Sequence, residues 1–456
     1  MKNLFLSLLS ATALVSCQVE SETTAKADTD SDKNVPVAFP STYEPQASPN
    51  ILLKNATLID GLSDQIREGD VLVSDGKIQF VGSGKVPDDV TEIDLQGRYV
   101  TPGIIDIHSH LGNYPSPGVH AHEDGNEITN PITSEVYAEH GIWPQDPGFD
   151  EALQGGVTTL HVLPGSANLF GGRGVTLRNV PSRTVQGMKF PDAPYTLKMA
   201  CGENPKRVYG NKGGPGSRMG NVAGYRKNWI KAESYKAKRD KGDDYERDLQ
   251  LETLADVLDG KILVQMHCYR ADEMIQILDL AKEFNYKVTA FHHAVEAYKI
   301  GDYLAESDTC AAMWADWGSF KMESYDYIRE NVPFVHAAGA CAMIHSDDPN
   351  NVQRLNQEVA KTWADGNRAG LNISKAEAWK WLSTNPAKAL GILDETGTLE
   401  AGKRADIIVW NDDPFSTYAR PDKVLIDGAV LFDRETGLKP VSDFRLGFAD
   451  LSEVSQ

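Results

Sequence analysis

Residues 98–110, RYVTPGIIDIHSH, run from a short apolar segment directly into a pair of histidines. A brief apolar run of this kind, preceded by Pro and Gly, indicates a strand that is buried inside a larger sheet. His108 and His110 are two residues apart, so on a strand their imidazole rings point to the same face and can bind one metal ion. The segment therefore predicts a buried strand with metal-binding side chains at its C-terminal tip.

Short apolar runs of the same type alternate with helix-like segments throughout residues 101–394. The further candidate strands are VTTLHVL, YTLKMA, ILVQMHC, KVTAFHH, CAAMW and CAMIHSD. Helix-like segments such as ADEMIQILDLAKEF lie between them, and this alternation predicts a parallel sheet. The size of the region and the number of runs favour closure into a (β/α)₈ TIM barrel.

Two segments that flank this region have a different character, with short strands broken by turns. Residues 50–100 contain GDVLVSDGKIQFVG, in which Asp75-Gly76 is a strong hairpin signal, and residues 395–435 contain ADIIVW and KVLIDGAVLFD. Both show the alternation of half-buried strands. We therefore expect a small composite β-sandwich domain, assembled from both ends of an α/β fold.

The first residues have the pattern of an export signal. Lys2 precedes an apolar stretch that is too short to span a bilayer, and the tetrapeptide that ends at Cys17 resembles a bacterial lipobox. Residues 1–17 are therefore interpreted as a lipoprotein signal peptide, with lipid on Cys17. Residues 18–49 are polar, which predicts a disordered tether. The protein is expected to be exported and lipid-anchored at a bacterial membrane, in the periplasm or at the cell surface.

Composition narrows the class of protein. Hydrophobic residues make up 41% and charged residues 24% of the chain, which is ordinary for a globular protein. The net charge of −20 argues against nucleic acid as a partner, because phosphate binding requires a concentrated positive surface. The cysteines that follow Cys17 form no CxxC pair, and their spacing alone does not predict any disulfide. Oligomeric state is left open, including a homo-oligomer.

Other predicted strands also end in residues that can bind a metal. One ends in His267, the next in His292-His293, and the last in His345-Ser346-Asp347. A barrel of this kind builds its active site at the C-terminal ends of its strands. Imidazole and carboxylate together suit zinc or a similar divalent ion. The agreement of four strand tips predicts a metal centre.

The sequence resembles the amidohydrolase superfamily of metal-dependent hydrolases, in particular its imidazolonepropionase-like and prolidase-like members. The resemblance is carried by RYVTPGIIDIHSH, by HSDDP at residues 345–349 and by LEAGKRADIIVW at residues 399–410. It implies that His108 and His110 share one metal and that His267 and His293 are ligands or catalytic groups. It also implies that Asp347 is both a ligand and the base that transfers protons. One or two zinc ions per chain fit this pattern.

A second metal requires a bridging group, and the segment YTLKMACGENPKR offers two. Lys198 is in phase with the position at which the superfamily places a carboxylated lysine, and Glu203 lies at the tip, where other members use a glutamate. The turn at Gly202 can re-aim Glu203 into the site. Both alternatives stay open, and we favour Glu203.

The reaction expected from this resemblance is hydrolysis of a C–N bond in a small-molecule substrate. Superfamily members that act on bases or imidazolones carry glutamate three residues after the histidine that corresponds to His267, whereas this chain has Arg270. Arginine does not shuttle protons but binds carboxylates in a bidentate manner. We therefore expect a dipeptide or an N-acyl amino acid, with Arg270 as a substrate-binding residue. The alternatives are a mononuclear enzyme for cyclic amides, such as a lactam or imidazolone, and a non-catalytic binding lipoprotein.

Two further segments are weaker candidates for substrate contacts. The glycine-rich segment NLFGGRGVTLR can bring its backbone close to a substrate and place Arg173 inside the site, although a plain turn is the simpler interpretation. Trp314 and Trp317 can form the wall of a hydrophobic pocket or pack in the core.

Overall fold

The computed structural model describes residues 39–438. The predicted signal peptide, Cys17 and most of the predicted tether lie outside the described residues. Within residues 39–438, no helix is long and apolar enough to cross a membrane.

The described chain alternates between strands and helices as follows. The strands are β1 (Ile51–Leu58), β2 (Arg67–Ser74), β3 (Lys77–Gly82), β4 (Thr91–Asp94), β5 (Tyr99–Pro102), β6 (Ile104–Ser109), β7 (Val157–Val162), β8 (Phe170–Arg178), β9 (Thr196–Ala200), β10 (Leu263–Cys268), β11 (Val288–His293), β12 (Cys310–Met313), β13 (Ala342–Ile344), β14 (Ile407–Trp410), β15 (Pro421–Ile426) and β16 (Ala429–Asp433). The α-helices are α1 (Pro147–Gln154), α2 (Glu203–Tyr209), α3 (Arg218–Lys241), α4 (Leu249–Leu258), α5 (Ala271–Glu283), α6 (Gly301–Glu306), α7 (Asn331–Ala337), α8 (Leu355–Arg368), α9 (Lys375–Trp379) and α10 (Thr384–Ala389).

The β domain combines the two flanking segments in one sheet. Its strand order is β16-β15-β14-β5-β1-β2-β3, with β4 paired to β1, and the antiparallel pair β14–β5 joins the C-terminal segment to the N-terminal one. On β14, Ile407 and Val409 pack in the core of this domain, whereas Ile408 and Trp410 pack in the larger core shared with the barrel. The composite β domain is therefore confirmed, and its sheet buries both faces of β14.

The central region forms the predicted TIM barrel. Its strands follow the order β6 to β13, and the Asp347 amide donates to the His108 carbonyl (3.1 Å) where the last strand returns beside the first. On β10, Val264 and Met266 pack against the surrounding helices, which leaves Gln265 and His267 on the opposite face, inside the barrel. Alternation along the strand thus gives this barrel a polar interior.

One wall of the barrel departs from the expected all-parallel arrangement. The glycine-rich segment that we interpreted as a turn forms β8, which pairs antiparallel with both β7 and β9. A Cβ atom on Gly174 would lie 2.5 Å from Thr196 Oγ1 and 2.8 Å from His161 Nε2. The glycines therefore allow close packing within a strand, not a turn.

The end of the predicted tether also differs from the expectation. Ser41 Oγ donates to the Lys189 carbonyl (2.7 Å), the Thr42 amide donates to the Gln186 carbonyl (3.0 Å), and Tyr43 hydrogen-bonds to Asp427. Polar composition predicted disorder up to residue 49, but these hydrogen bonds hold residues 41–43 against the folded domains.

Two disulfides cross-link neighbouring parts of the barrel wall. Cys201, just after β9, is bonded to Cys268 at the end of β10, and Cys310 of β12 is bonded to Cys341 just before β13. Because strand pairing brings these cysteines together in space, their spacing along the sequence did not reveal the pairs.

Candidate metal centre

His108, His110 and Asp347 form a compact triangle at the tips of β6 and β13. His108 Nε2 lies 3.3 Å from His110 Nε2, and each of these nitrogens lies 3.4 Å from Asp347 Oδ1. A tetrahedral ion with bonds of about 2.0–2.1 Å needs ligand atoms about 3.3–3.4 Å apart. The three side chains thus fit one face of a tetrahedral zinc site.

Hydrogen bonds behind the two histidines turn their Nε2 lone pairs towards this triangle. His110 Nδ1 lies 2.8 Å from the Leu163 carbonyl, so Nδ1 carries the proton. His108 Nδ1 lies 2.9 Å from His292 Nδ1, and His292 Nε2 lies 2.7 Å from Gln265 Oε1. Because the Gln265 oxygen accepts only, His292 donates from Nε2 and accepts at Nδ1 from His108. Both His108 and His110 therefore present a free Nε2, as metal ligands do.

Backbone and side-chain contacts hold Asp347 beside the histidines. Asp347 has a φ of 51°, in the left-handed region that few non-glycine residues adopt. Its neighbour Ser346 donates from Oγ to Asp106 Oδ2 (2.5 Å), and Asp106 Oδ1 accepts from the His108 amide (3.2 Å). Burial raises the pKa of Asp106 to about 7, although the hydrogen bonds from Ser346 oppose this rise. Asp106 thus links β6 to the loop that carries Asp347.

A second potential ligand group shares His108 with the first. His108, His293 and His345 each offer a ring nitrogen, and these atoms lie within 4.8 Å of one another. His293 Nδ1 and both ring nitrogens of His345 are buried, and none has a hydrogen-bond partner among the described residues. Unpaired buried nitrogens are costly, and a bound metal would satisfy the unprotonated nitrogen of each ring. His345 was not among the ligands that we predicted, although the motif HSDDP begins with it.

His267 lies beside this second group without joining it. Its ring centroid is 4.6 Å from that of His293, and its Nε2 is 3.4 Å from the side-chain amide nitrogen of Asn204. In the part of the chain that the structure describes, its Nδ1 has no hydrogen-bond partner. The structure therefore brings His108, His110, His267, His293 and Asp347 to one end of the barrel.

Burial keeps these imidazoles neutral. It lowers the pKa of four of them well below the ordinary value, and the nearby Lys198 and the other histidines act in the same direction. Burial also lowers the pKa of His345 to about 4. A neutral imidazole has a lone pair for a metal, so this donor set fits a divalent ion. The four imidazoles whose pKa lies well below the ordinary value belong to His108, His267, His292 and His293.

The structure reverses our preference between the two bridging candidates. Lys198 points into the barrel, where its buried Nζ has no hydrogen-bond partner within residues 39–438, and burial lowers its pKa to about 7 while Asp347 acts in the opposite direction. It pairs across the wall with Gly172. Glu203 begins α2 after the turn at Gly202, and its Oε1 lies 3.4 Å from Lys321 Nζ. The turn thus directs Glu203 to an ion pair and outside both ligand groups.

The two arginines that we predicted to bind substrate are engaged elsewhere. Arg270 Nε and Nη2 donate to Asp272 at 2.9 and 3.0 Å, and its side chain is exposed. Arg173 donates from Nε to Thr253 of α4 (2.9 Å), on the outside of the wall. Each arginine has a partner close by on the helical layer, and a role of either in substrate binding stays a prediction.

Aromatic side chains line the entrance to the centre. A cavity of about 500 Å³ is bounded by Tyr269, Trp314, Trp317, Phe320 and Asp347. The Trp314 ring stacks on His293 with a centroid distance of 4.4 Å. The sequence was compatible with either a pocket wall or the core for Trp314 and Trp317, and both tryptophans line the pocket.

The chain is similar in sequence and fold to known amidohydrolases. A model described as the amidohydrolase family matches residues 230–431. The solved structure of an amidohydrolase from Thermotoga maritima MSB8 is 36% identical, with a TM-score of 0.78, and the match covers 84% of this chain and 100% of that one. Amidohydrolase tasK of Hapsidospora irregularis is 33% identical over 80% of this chain, which spans 40% of the length of tasK. An imidazolonepropionase of Brucella abortus strain S19 is 25% identical, over 76% of this chain and 87% of its own length.

Proposed function

The chain belongs to the amidohydrolase family, and we propose that it hydrolyses the amide bond of a dipeptide or N-acyl amino acid with a divalent metal held at the strand tips. The observation that carries this proposal is the triangle of His108, His110 and Asp347, with sides of 3.3–3.4 Å. These three side chains would hold the metal, which we expect to be zinc. When bound, the metal supplies a Lewis acid and lowers the pKa of water.

Asp347 is the group best placed to move protons. Its Oδ1 faces His108 and His110, while its Oδ2 lies 3.8 Å from His293 Nδ1 and lines the cavity. In the proposed mechanism Asp347 takes a proton from the attacking water and delivers it to the leaving nitrogen. With one metal bound, His293, on the other side of the carboxylate, is placed to stabilise the oxyanion that develops on the substrate carbonyl. With two metals bound, His293 would instead be a ligand of the second.

A second metal is proposed at His293 and His345, with Lys198 as the bridging group in place of Glu203. Lys198 has a buried, unpartnered amine with a pKa lowered to about 7, so it is neutral over part of the physiological pH range. A neutral amine can add to carbon dioxide and release a proton to form a carbamate, whose two oxygens could then act as metal ligands. His267 then serves as a further ligand or contacts the substrate.

Hydrolysis of a cyclic amide is the second candidate reaction. It is supported by the relatives named imidazolonepropionase, which match 76% of this chain. Arg270 pairs with Asp272, which weakens the argument that Arg270 binds the carboxylate of an acidic substrate. A screen of dipeptides, N-acyl amino acids and lactams on metal-loaded protein separates the two reactions.

Replacement of Asp347 by asparagine tests the mechanism. We expect Asp347→Asn to lower kcat by at least about 100-fold, because general acid–base catalysis contributes about 10²–10⁴-fold. Removal of the metal with EDTA is expected to abolish hydrolysis, and added zinc to restore it. The matched control is Asp348→Asn, since the Asp348 carboxylate only accepts the amides of Asn350 and Asn351. Full activity in Asp347→Asn would rule out the assigned base.

We also propose that the protein is exported and anchored by lipid on Cys17. The two disulfides support an oxidising compartment, because such bonds are rare in the reducing cytosol. We expect Cys17→Ala to move the protein from the membrane fraction to the soluble fraction of the cells that produce it. Equal membrane binding of the variant and the parent would contradict the anchor.

A further inference from the structure

The cavity beside the candidate metal centre, here called the aromatic pocket, is walled by four rings. They belong to Tyr269, Trp314, Trp317 and Phe320, and Asp347 closes the side towards the metal ligands. Its volume of about 500 Å³ lies within the range of ligand-binding sites in proteins, about 300–1,000 Å³. The pocket is therefore large enough for a bulky group that lies next to the reacting atoms.

Two of the rings connect the pocket directly to the centre. His293 stacks against both rings, with centroid distances of 4.4 Å to Trp314 and 5.2 Å to Tyr269, and with interplanar angles of 27° and 17°. A group that packs on Trp314 or Tyr269 inside the pocket is thus held one ring away from a candidate metal ligand. This arrangement places the bound group close to the scissile bond.

The other two rings form the outer part of the wall. Trp317 lies nearly parallel to Trp314, with centroids 5.9 Å apart, and Phe320 meets Trp314 edge to face at 5.8 Å. The Phe320 side chain is 57% exposed, although a buried aromatic cluster is next to it. Covering this apolar surface with an apolar ligand is favourable, since it removes the surface from water.

Apart from Asp347, which faces the metal ligands, the charged side chains around the pocket are already paired. Asp316 Oδ1 lies 2.9 Å from Lys361 Nζ. Lys321 Nζ lies 3.9 Å from the centre of the Tyr269 ring and 3.4 Å from Glu203 Oε1. Because these charges are neutralised and one ring face already holds a cation, the pocket favours a neutral group over a carboxylate or an ammonium group.

We propose that the aromatic pocket binds an aromatic or bulky apolar side chain adjacent to the scissile amide, and that Trp317 and Phe320 determine this specificity. The proposal rests on the proposed function, because it names the substrate class of the same site. Aromatic rings prefer to pack edge to face or in offset stacks, so a further ring can pack favourably against these walls. Substrates with phenylalanine-like groups are then preferred over those with small or charged groups.

The test compares ligands on the full-length, metal-loaded protein by titration calorimetry. We expect N-acetyl-phenylalanine amide to bind at least about 10-fold more tightly than N-acetyl-alanine amide, because one methylene in an apolar pocket already gives about 10-fold. Phe320→Ala and Trp317→Ala are expected to remove most of this preference, and Phe320→Leu to keep part of it. Tyr418→Ala, at a ring that is 85% exposed, is the matched control and should keep it.

The outcomes separate the pocket from the reaction. Equal binding of the two amides, or tighter binding of N-acetyl-lysine amide or N-acetyl-glutamate, would overturn the aromatic pocket. Selective binding of the phenylalanine ligand supports the pocket even when no amide is hydrolysed, and the absence of hydrolysis then refutes the proposed function alone. Hydrolysis with equal kcat/KM for alanine and phenylalanine substrates supports the reaction and refutes the pocket.

Discussion

Lys198 carries an amine into the interior of the barrel, where it has no hydrogen-bond partner among the described residues. After burial, it has the largest effect on the pKa of His108, His267 and His292, so it lies within the electrostatic reach of all three. Burial of an amine without a hydrogen-bond partner is unfavourable, and a bridging role between two metals would explain why it is present.

Replacement of Lys198 tests that role against Glu203, the residue that sequence analysis favoured. We expect Lys198→Ala to bind about one metal equivalent fewer per chain than the parent, as measured by inductively coupled plasma mass spectrometry. Glu203→Gln is the matched control and should keep the parental metal content, because its carboxylate contacts Lys321 instead of the histidines. The reverse result, with metal lost only in Glu203→Gln, would restore the original assignment.

The sequence predicts the side-chain direction of site residues that lie on a strand, because strand alternation sets that direction. His108 and His110 lie two residues apart at a strand end, so their common face followed from the spacing alone. Arg270 follows the end of its strand, where alternation no longer sets the direction of the side chain. It pairs with Asp272, two residues later. Residues beyond a strand tip are directed by local partners, and sequence spacing does not reveal those partners.

At the scale of elements, β8 was predicted as a turn although the fold class was predicted correctly. Its glycines resemble turn residues, yet Gly172 faces Lys198 across the strand pair and Gly174 lies against Thr196. At Gly174 a side chain would collide with the neighbouring strands, and at Gly172 its Cβ would lie 2.5 Å from Val136 Cγ2 of the preceding loop. Composition cannot separate this use of glycine from a turn, since both depend on the same missing Cβ.

The disulfide between Cys201 and Cys268 constrains a functional part of the barrel wall. It joins the ends of β9 and β10, and the Cys201 amide also donates to the His267 carbonyl (2.9 Å). β9 carries Lys198 and β10 carries His267, so the bond fixes the two strands that hold these side chains. Covalent and hydrogen-bond restraints of this kind help to preorganise a metal centre before the ion binds.

At the scale of the whole molecule, the barrel and the β domain are joined through Arg178, at the end of β8. Its guanidinium donates to Asp406 at 2.5 and 2.7 Å and to Asp427 at 3.1 Å, and all three side chains are buried. Asp406 precedes β14, and Asp427 lies in the turn between β15 and β16. The similar strand patterns of the two flanking segments predicted the composite domain, but this charged connection depends on the antiparallel strand that sequence analysis missed.

Loss of Arg178 should therefore destabilise both domains together. We expect Arg178→Met to lower the free energy of unfolding by about 3–5 kcal/mol, because it keeps most of the side-chain volume but leaves the buried Asp406 carboxylate without its cation. Asp427 keeps its ion pair with Arg404 (3.0 Å). Urea unfolding followed by circular dichroism measures the change. Arg226→Ala is the control, since its ion pair with Glu283 is exposed and is worth less than about 1 kcal/mol. A loss in Arg178→Met no larger than in the control would show that apolar packing alone, through residues such as Ile408 and Trp410, holds the two domains together.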